Sequence, residues 1–215
     1  FADAFLGGNA SGILLHLALP VGISFYTFKA LAYTIEIRRG TIPAERDPLP
    51  VLAYVSFFPQ LLAGPIERPQ HLIPQFKQLR TFSYEQATDG CRQILWGLFK
   101  KVVVADNCAV YVNEVWDNVG GEAGSTLLLA AILFSVQIYG DFSGYSDISI
   151  GVGKLLGVRS RKNFDMPYFS RGIAEFWRKW HISLTSWFRD YVYIPMGEAA
   201  ARRGGSSSTH WWCSC

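Results

Sequence analysis

The run from Ala123 to Gly140, AGSTLLLAAILFSVQIYG, contains no Asp, Glu, Lys or Arg. Roughly 20 mostly apolar residues carry an α-helix across the hydrocarbon core of a bilayer, so this run is close to span length. Two further stretches, Ala4 to Phe28 and Pro48 to Ile66, are equally free of charge. Neither reads as a clean helix. The first is interrupted at Pro20 and Gly22, and the second holds Pro50, Pro59 and Pro65. Proline inside a soluble helix is costly, whereas membrane helices tolerate such breaks where neighbours or water satisfy the freed backbone groups. The expectation is an all-α, polytopic transmembrane protein with broken or re-entrant helices and interfacial amphipathic segments.

Composition agrees. The 215 residues are 50% hydrophobic and 17% charged, below the roughly quarter charged residues of a soluble domain. Mean hydropathy is only +0.16, so spans are expected to alternate with long interfacial stretches. Arg159, Arg161, Lys162, Arg171, Arg178, Lys179 and Arg189 form a late basic cluster. Beside such apolar runs, it fits a headgroup-facing or cytoplasmic surface better than nucleic acid, which is not expected as a partner. The start at Phe1 shows no basic n-region or cleavage site and reads as internal.

Motifs of soluble enzymes fail on inspection. Gly151-Val152-Gly153-Lys154 lacks the earlier glycine and the following Ser or Thr of a phosphate loop. Ser143 is not flanked by glycines at two residues on both sides, as a nucleophile elbow requires. His210, Cys213 and Cys215 lack a fourth ligand, so no metal site is expected. Beyond Gly140 the chain continues Asp141-Phe142-Ser143-Gly144-Tyr145-Ser146-Asp147. Carboxylates beside an apolar run usually face a bundle interior or a water-filled cavity. Asp141 and Asp147 are therefore candidates for lining a substrate path, although bracing a broken helix is the heavier reading. Cys91 to Val104 is amphipathic, with Ile94, Leu95, Leu98 and Val102 at helical spacing.

Ile173 to Arg189 carries the chemistry. On a helical wheel, Phe176, Trp177, Trp180, Leu184, Trp187 and Phe188 lie within roughly 60° of Ile173, and His181 falls at about 80°, on the stripe's margin. Three tryptophans opposite Arg178 and Lys179 suit a helix at a membrane interface. A histidine there can serve as the base for acyl transfer to a hydroxyl, since its ordinary pKa is near 6.5 and burial tunes it. An interfacial histidine that only hydrogen-bonds a neighbour is the bland alternative.

Several blocks then resemble, in order over residues 19 to 197, the membrane-bound O-acyltransferases of the alginate O-acetylation type. These are Leu19-Pro20-Val21-Gly22-Ile23-Ser24-Phe25-Tyr26-Thr27-Phe28, then Tyr54 to Ile66, then Leu95-Trp96-Gly97-Leu98-Phe99-Lys100-Lys101. The Asp141 to Asp147 block and Asn163-Phe164-Asp165-Met166-Pro167-Tyr168 follow. The most specific is Phe176-Trp177-Arg178-Lys179-Trp180-His181-Ile182-Ser183-Leu184, which leads into Trp187 to Pro195.

The resemblance implies a multi-pass protein of the bacterial inner membrane, surrounded by lipid, with a funnel or tunnel through the bilayer. It implies transfer of acetyl groups, from a thioester such as acetyl-CoA, to alginate or a similar exopolysaccharide, or to a periplasmic carrier or acetyltransferase. No bound cofactor is implied. His181 matches the first of the family's two functional histidines, and nothing here matches the second. Trp177 and Trp180 would set the depth of His181, Ser183 would hydrogen-bond beside it, and Arg178 would lie on the polar side. D-alanyl transfer of the teichoic acid type shares much of the pattern. On physics alone, a transporter or an inactive fragment also fits broken helices with embedded carboxylates. Residues 1–197 read as a partial membrane domain, and 198–215 as an atypical low-complexity tail, expected to stem from a frameshift or misassembled end.

Overall fold

A computed structural model describes residues 22–197, and every regular element among them is helical. The eight α-helices are α1 (Ile23–Arg38), α2 (Pro48–Val55), α3 (Pro69–Lys77), α4 (Tyr84–Leu98), α5 (Asp106–Asp117), α6 (Gly124–Leu155), α7 (Ile173–Lys179) and α8 (Ile182–Phe188). The tail at 198–215 and most of the first charge-free run lie outside the described residues.

Among the described residues, breaks fall at Gly22 and after Val55, while Pro20 lies outside them and Pro50 sits within the first turn of α2. Gly22 adopts φ 79 immediately before α1, a left-handed conformation that costs glycine little. In the second run, Asp47 caps α2 by accepting the Leu49 N–H at 3.0 Å, with Pro48 at the first position. The helix stops at Val55, and one 3₁₀ turn over Phe58–Gln60 follows before α3.

The third run becomes the first part of α6, a helix of 32 residues that continues unbroken through Asp141 and Asp147 to Leu155. At 1.5 Å per residue that is about 48 Å, longer than a bilayer's hydrocarbon core. Among the described residues it is the one helix long and apolar enough to cross a membrane. Its two halves face different surroundings. Leu128, Leu129, Ile132 and Phe134 are exposed, whereas Gly140, Ser143, Gly144, Ser146, Ser149 and Gly151 are buried.

The buried half of α6 lies against α4 at glycines. A Cβ on Gly90 would come 2.8 Å from the Gly151 carbonyl oxygen, and one on Gly151 would come 2.7 Å from that of Gly90. Close approach of small residues is how helices associate in apolar surroundings. After Leu98 the chain winds as a π-helix over Phe99–Ala105, seated on Gly140 and Gly144. The tract is amphipathic with most of its apolar stripe turned outward, while Lys100 and Lys101 turn towards α6. Ile94 packs against Gly151, but Leu95, Leu98 and Val102 are exposed together with Trp96 and Phe99.

Two small apolar cores complete the body. Tyr54, Phe57, Leu72, Ile73 and Val158 form one, joining α2, α3 and the chain after α6. Ala32, Ile66, Trp187 and Tyr191 form the other, with Phe25, Phe28, Ile35 and Leu184 packed against it. The second core fixes α8 on α1, and the Trp187 indole N–H donates to the Phe28 carbonyl at 3.1 Å.

Candidate active site

The wheel over Ile173 to Arg189 assumes one helix, and the structure corrects this. α7 ends at Lys179, Trp180 is extended at φ −96 and ψ 126, and His181 takes φ 45 and ψ 53 before α8 begins. A positive φ is uncommon outside glycine, and it persists here because other contacts hold the turn. The Ile182 N–H donates to the Asn163 carbonyl at 2.9 Å, and the Asp165 N–H donates to the Lys179 carbonyl at 3.0 Å. The loop between α6 and α7 thus replaces the helical hydrogen bonds on both sides of His181.

His181 is carried inward by this turn. It is 9% exposed, and its ring meets Phe142 of α6 edge to face at 4.7 Å between centroids. Its Nδ1 lies 3.0 Å from Asn163 Oδ1. Ser183 reaches the same oxygen twice, through its backbone N–H at 3.3 Å and its hydroxyl at 2.9 Å. That hydroxyl also accepts the Ile66 N–H at 3.0 Å, tying the site to the segment between α2 and α3. Asn163 Nδ2 donates to Ser146 Oγ at 3.0 Å. His181 lies outside α6, and burial pushes its imidazole down to about 4. The ring is therefore neutral near pH 7, the state in which it can accept a proton.

The other sequence candidates divide. Ser183 lies beside the histidine, its hydroxyl 3.5 Å from Nδ1. Trp180 stacks on Phe176 at 5.5 Å and meets Phe164 edge to face at 5.1 Å, forming an aromatic wall with Tyr139 and Tyr168. Trp177 is 44% exposed and meets only Phe176 among these rings. Arg178 is exposed, with its Nε 3.4 Å from the Ala174 carbonyl. Asp141 and Asp147 are not brought to His181. Asp141 pairs with Lys101 at 2.6 Å, while Asp147 pairs with Lys100 and accepts from Gln93 at 2.9 Å. Both carboxylates brace α6 against α4 and the π-helical stretch, and α6 itself is not broken.

Sequence reading passed over Asn163 as a site residue, although it opens one of the matched blocks. It is 1% exposed, and a buried carboxamide in a loop calls for partners. Two polar clefts of about 410 Å³ each open where α4 begins and α6 ends, near Gln86 and Arg159. Neither is lined by His181.

Among the described residues, one span-length helix with apolar side chains turned outward stands beside a buried histidine held by Asn163. The chain belongs to the membrane-bound O-acyltransferase family, whose model matches residues 43–210. It is 42% identical to "Probable alginate O-acetylase AlgI" of Pseudomonas putida over 92% of its own length. It is 35% identical to the peptidoglycan O-acetyltransferase of Helicobacter pylori over 85% of its length, and 30% identical to the teichoic acid D-alanyltransferase of Bacillus subtilis over 81%. It spans about 40% of the length of the first two and 45% of the third.

Proposed function

We propose that this chain supplies the His181 part of a membrane-bound O-acyltransferase that moves acetyl groups onto hydroxyls of alginate or a similar exopolysaccharide. The observation that carries the reading is a neutral, buried His181 fixed by Asn163 and Ser183 in a chain of this family. In the reaction, His181 takes the proton from the acceptor hydroxyl as its oxygen attacks the thioester carbonyl. The tetrahedral intermediate collapses, the carbon–sulfur bond breaks, and the imidazolium returns its proton to the departing thiolate. No redox step and no external proton source is needed. Acetyl-CoA is the donor this reading favours.

Acetyl transfer is preferred over D-alanyl transfer because identity to the alginate O-acetylase is 42%, against 30% to the D-alanyltransferase. The same reading places the protein as a multi-pass component of a bacterial inner membrane. Exposed residues such as Leu128, Leu129 and Ile132 of α6 would face lipid, and a polysaccharide or periplasmic acetyl carrier would receive the product.

Membranes containing the protein, incubated with acetyl-labelled CoA and exopolysaccharide, test the proposal. Label should enter ester linkage in the wild type and be lost in His181→Ala at equal expression. Transfer that survives in His181→Ala removes the histidine from the reaction. Movement of solute without ester formation would favour a transporter.

A further inference from the structure

The carboxamide of Asn163 has its two ends assigned by groups that cannot reverse their roles. The Ser183 backbone N–H, 3.3 Å away, can only donate, so the atom facing it is the oxygen Oδ1. At the other end, Ser146 Oγ gives its hydrogen to the Ala63 carbonyl at 3.1 Å and so accepts from Asn163 Nδ2 at 3.0 Å. A flipped amide would set hydrogen against hydrogen at the first place, so the orientation follows from the main chain.

With Oδ1 fixed as an acceptor, His181 Nδ1, at 3.0 Å, must carry a hydrogen. A neutral imidazole has only one, so Nε2 keeps its lone pair. The Ser183 hydroxyl, 3.5 Å from Nδ1, does not compete, because its hydrogen goes to Oδ1 and its oxygen accepts from Ile66. We infer that Asn163 is a positioning residue that holds His181 in the Nδ1–H tautomer and thereby makes Nε2 the atom that receives the substrate proton. The tautomer follows from the hydrogen bonds alone, while its catalytic use rests on the acyl-transfer reading above. Which nitrogen is free depends on what the other one contacts, and Asn163 is the contact.

The test is ¹⁵N NMR of histidine-labelled protein in membranes, with the His181 signal identified by its absence from His181→Gln. The wild type should show Nδ1 protonated and Nε2 bare. Asn163→Leu, close in size but without an acceptor, should move the hydrogen to Nε2, and Asn163→Asp should keep it on Nδ1. In acyl transfer, Asn163→Leu should lower kcat about 100-fold with little change in KM, since a wrong tautomer is severely damaging. A wild-type His181 protonated at Nε2 overturns the inference, and that spectrum decides even if the leucine variant fails to fold. An unchanged tautomer in a folded Asn163→Leu overturns it as well. The expected tautomers without any acyl transfer would instead sink the acyltransferase reading and leave the positioning role standing.

Discussion

Gly97 and Gly144 meet main chain to main chain. A Cβ on Gly97 would lie 2.6 Å from the Gly144 carbonyl oxygen, and one on Gly144 would lie 2.8 Å from that of Gly97. With the Gly90 and Gly151 contact described above, this places α4 and the buried half of α6 in direct backbone apposition. The glycines are there for proximity, and nothing larger fits.

Gly144→Ala should therefore force the two helices apart and cost about 1–3 kcal/mol, as overpacked cores do. Gly124→Ala, where an added Cβ meets nothing within 4 Å, should cost nothing. Thermal unfolding of both variants in the same detergent makes the comparison. Equal stability of the two would show that the helices part without loss.

Asp147→Asn should leave Lys100 unpaired between α4 and α6. Breaking a fully buried pair costs roughly 3–5 kcal/mol. The side chains of Lys100 and Asp147 keep 14% and 21% of their surface exposed, so about 2 kcal/mol is the discounted expectation. The double variant Asp147→Asn with Lys100→Met should recover part of that loss. Strict additivity of the two single changes would mean the pair contributes nothing.

Tyr191→Phe should destabilise the core between α1 and α8. The Tyr191 hydroxyl donates to Glu36 Oε1 at 2.6 Å, and Glu36 is only 6% exposed. Removing the donor leaves a buried carboxylate short of a partner, at a cost of about 1–3 kcal/mol. The Arg68 guanidinium, 4.3 Å above the same ring and 2.7 Å from Asp190, should remain in place. A denaturation midpoint unchanged from the wild type would contradict this.

The pH dependence of stability follows from His181. Its folded pKa is lowered to about 4 from 6.5. Below pH 6.5 the unfolded chain binds a proton that the folded chain refuses, so stability falls as pH drops from 6.5 towards 4 and levels off below that. The full loss is about 3 kcal/mol by linkage. His181→Gln removes this component, so its melting temperature should fall less than the wild type's between pH 7 and pH 4. Parallel curves would show that His181 is freely protonated in the folded state.

Local chemistry made part of this architecture readable. The absence of charge from Ala123 to Gly140 located the long helix, Gly22 marked a break through its backbone freedom, and the prolines between Pro48 and Ile66 prevented a continuous helix. The break at His181 left no such trace. Trp180, His181, Ile182 and Ser183 include no helix breaker, and Ile182 alone departs from the apolar period. The turn exists because Asn163 and Asp165, distant in sequence, take over the hydrogen bonds of Lys179, Ile182 and Ser183. The same distance hid Asn163, whose partners are visible only after α8 docks. In sequence, Asp141 and Asp147 read either as lining a path or, more heavily, as bracing a helix, and the lysines that pair with them arrive only when the π-helical stretch packs on α6.

The left-handed turn at His181 also determines what disturbs the imidazole. A side chain on a helix face inherits every shift and rotation of that helix. His181 instead sits at a joint whose two flanks are stitched to one short loop, and that loop is anchored to α6 through Ser146. The alignment of the ring is thus shared between the main-chain bonds of that joint and the Asn163 side chain, and both α7 and α6 are tied to it.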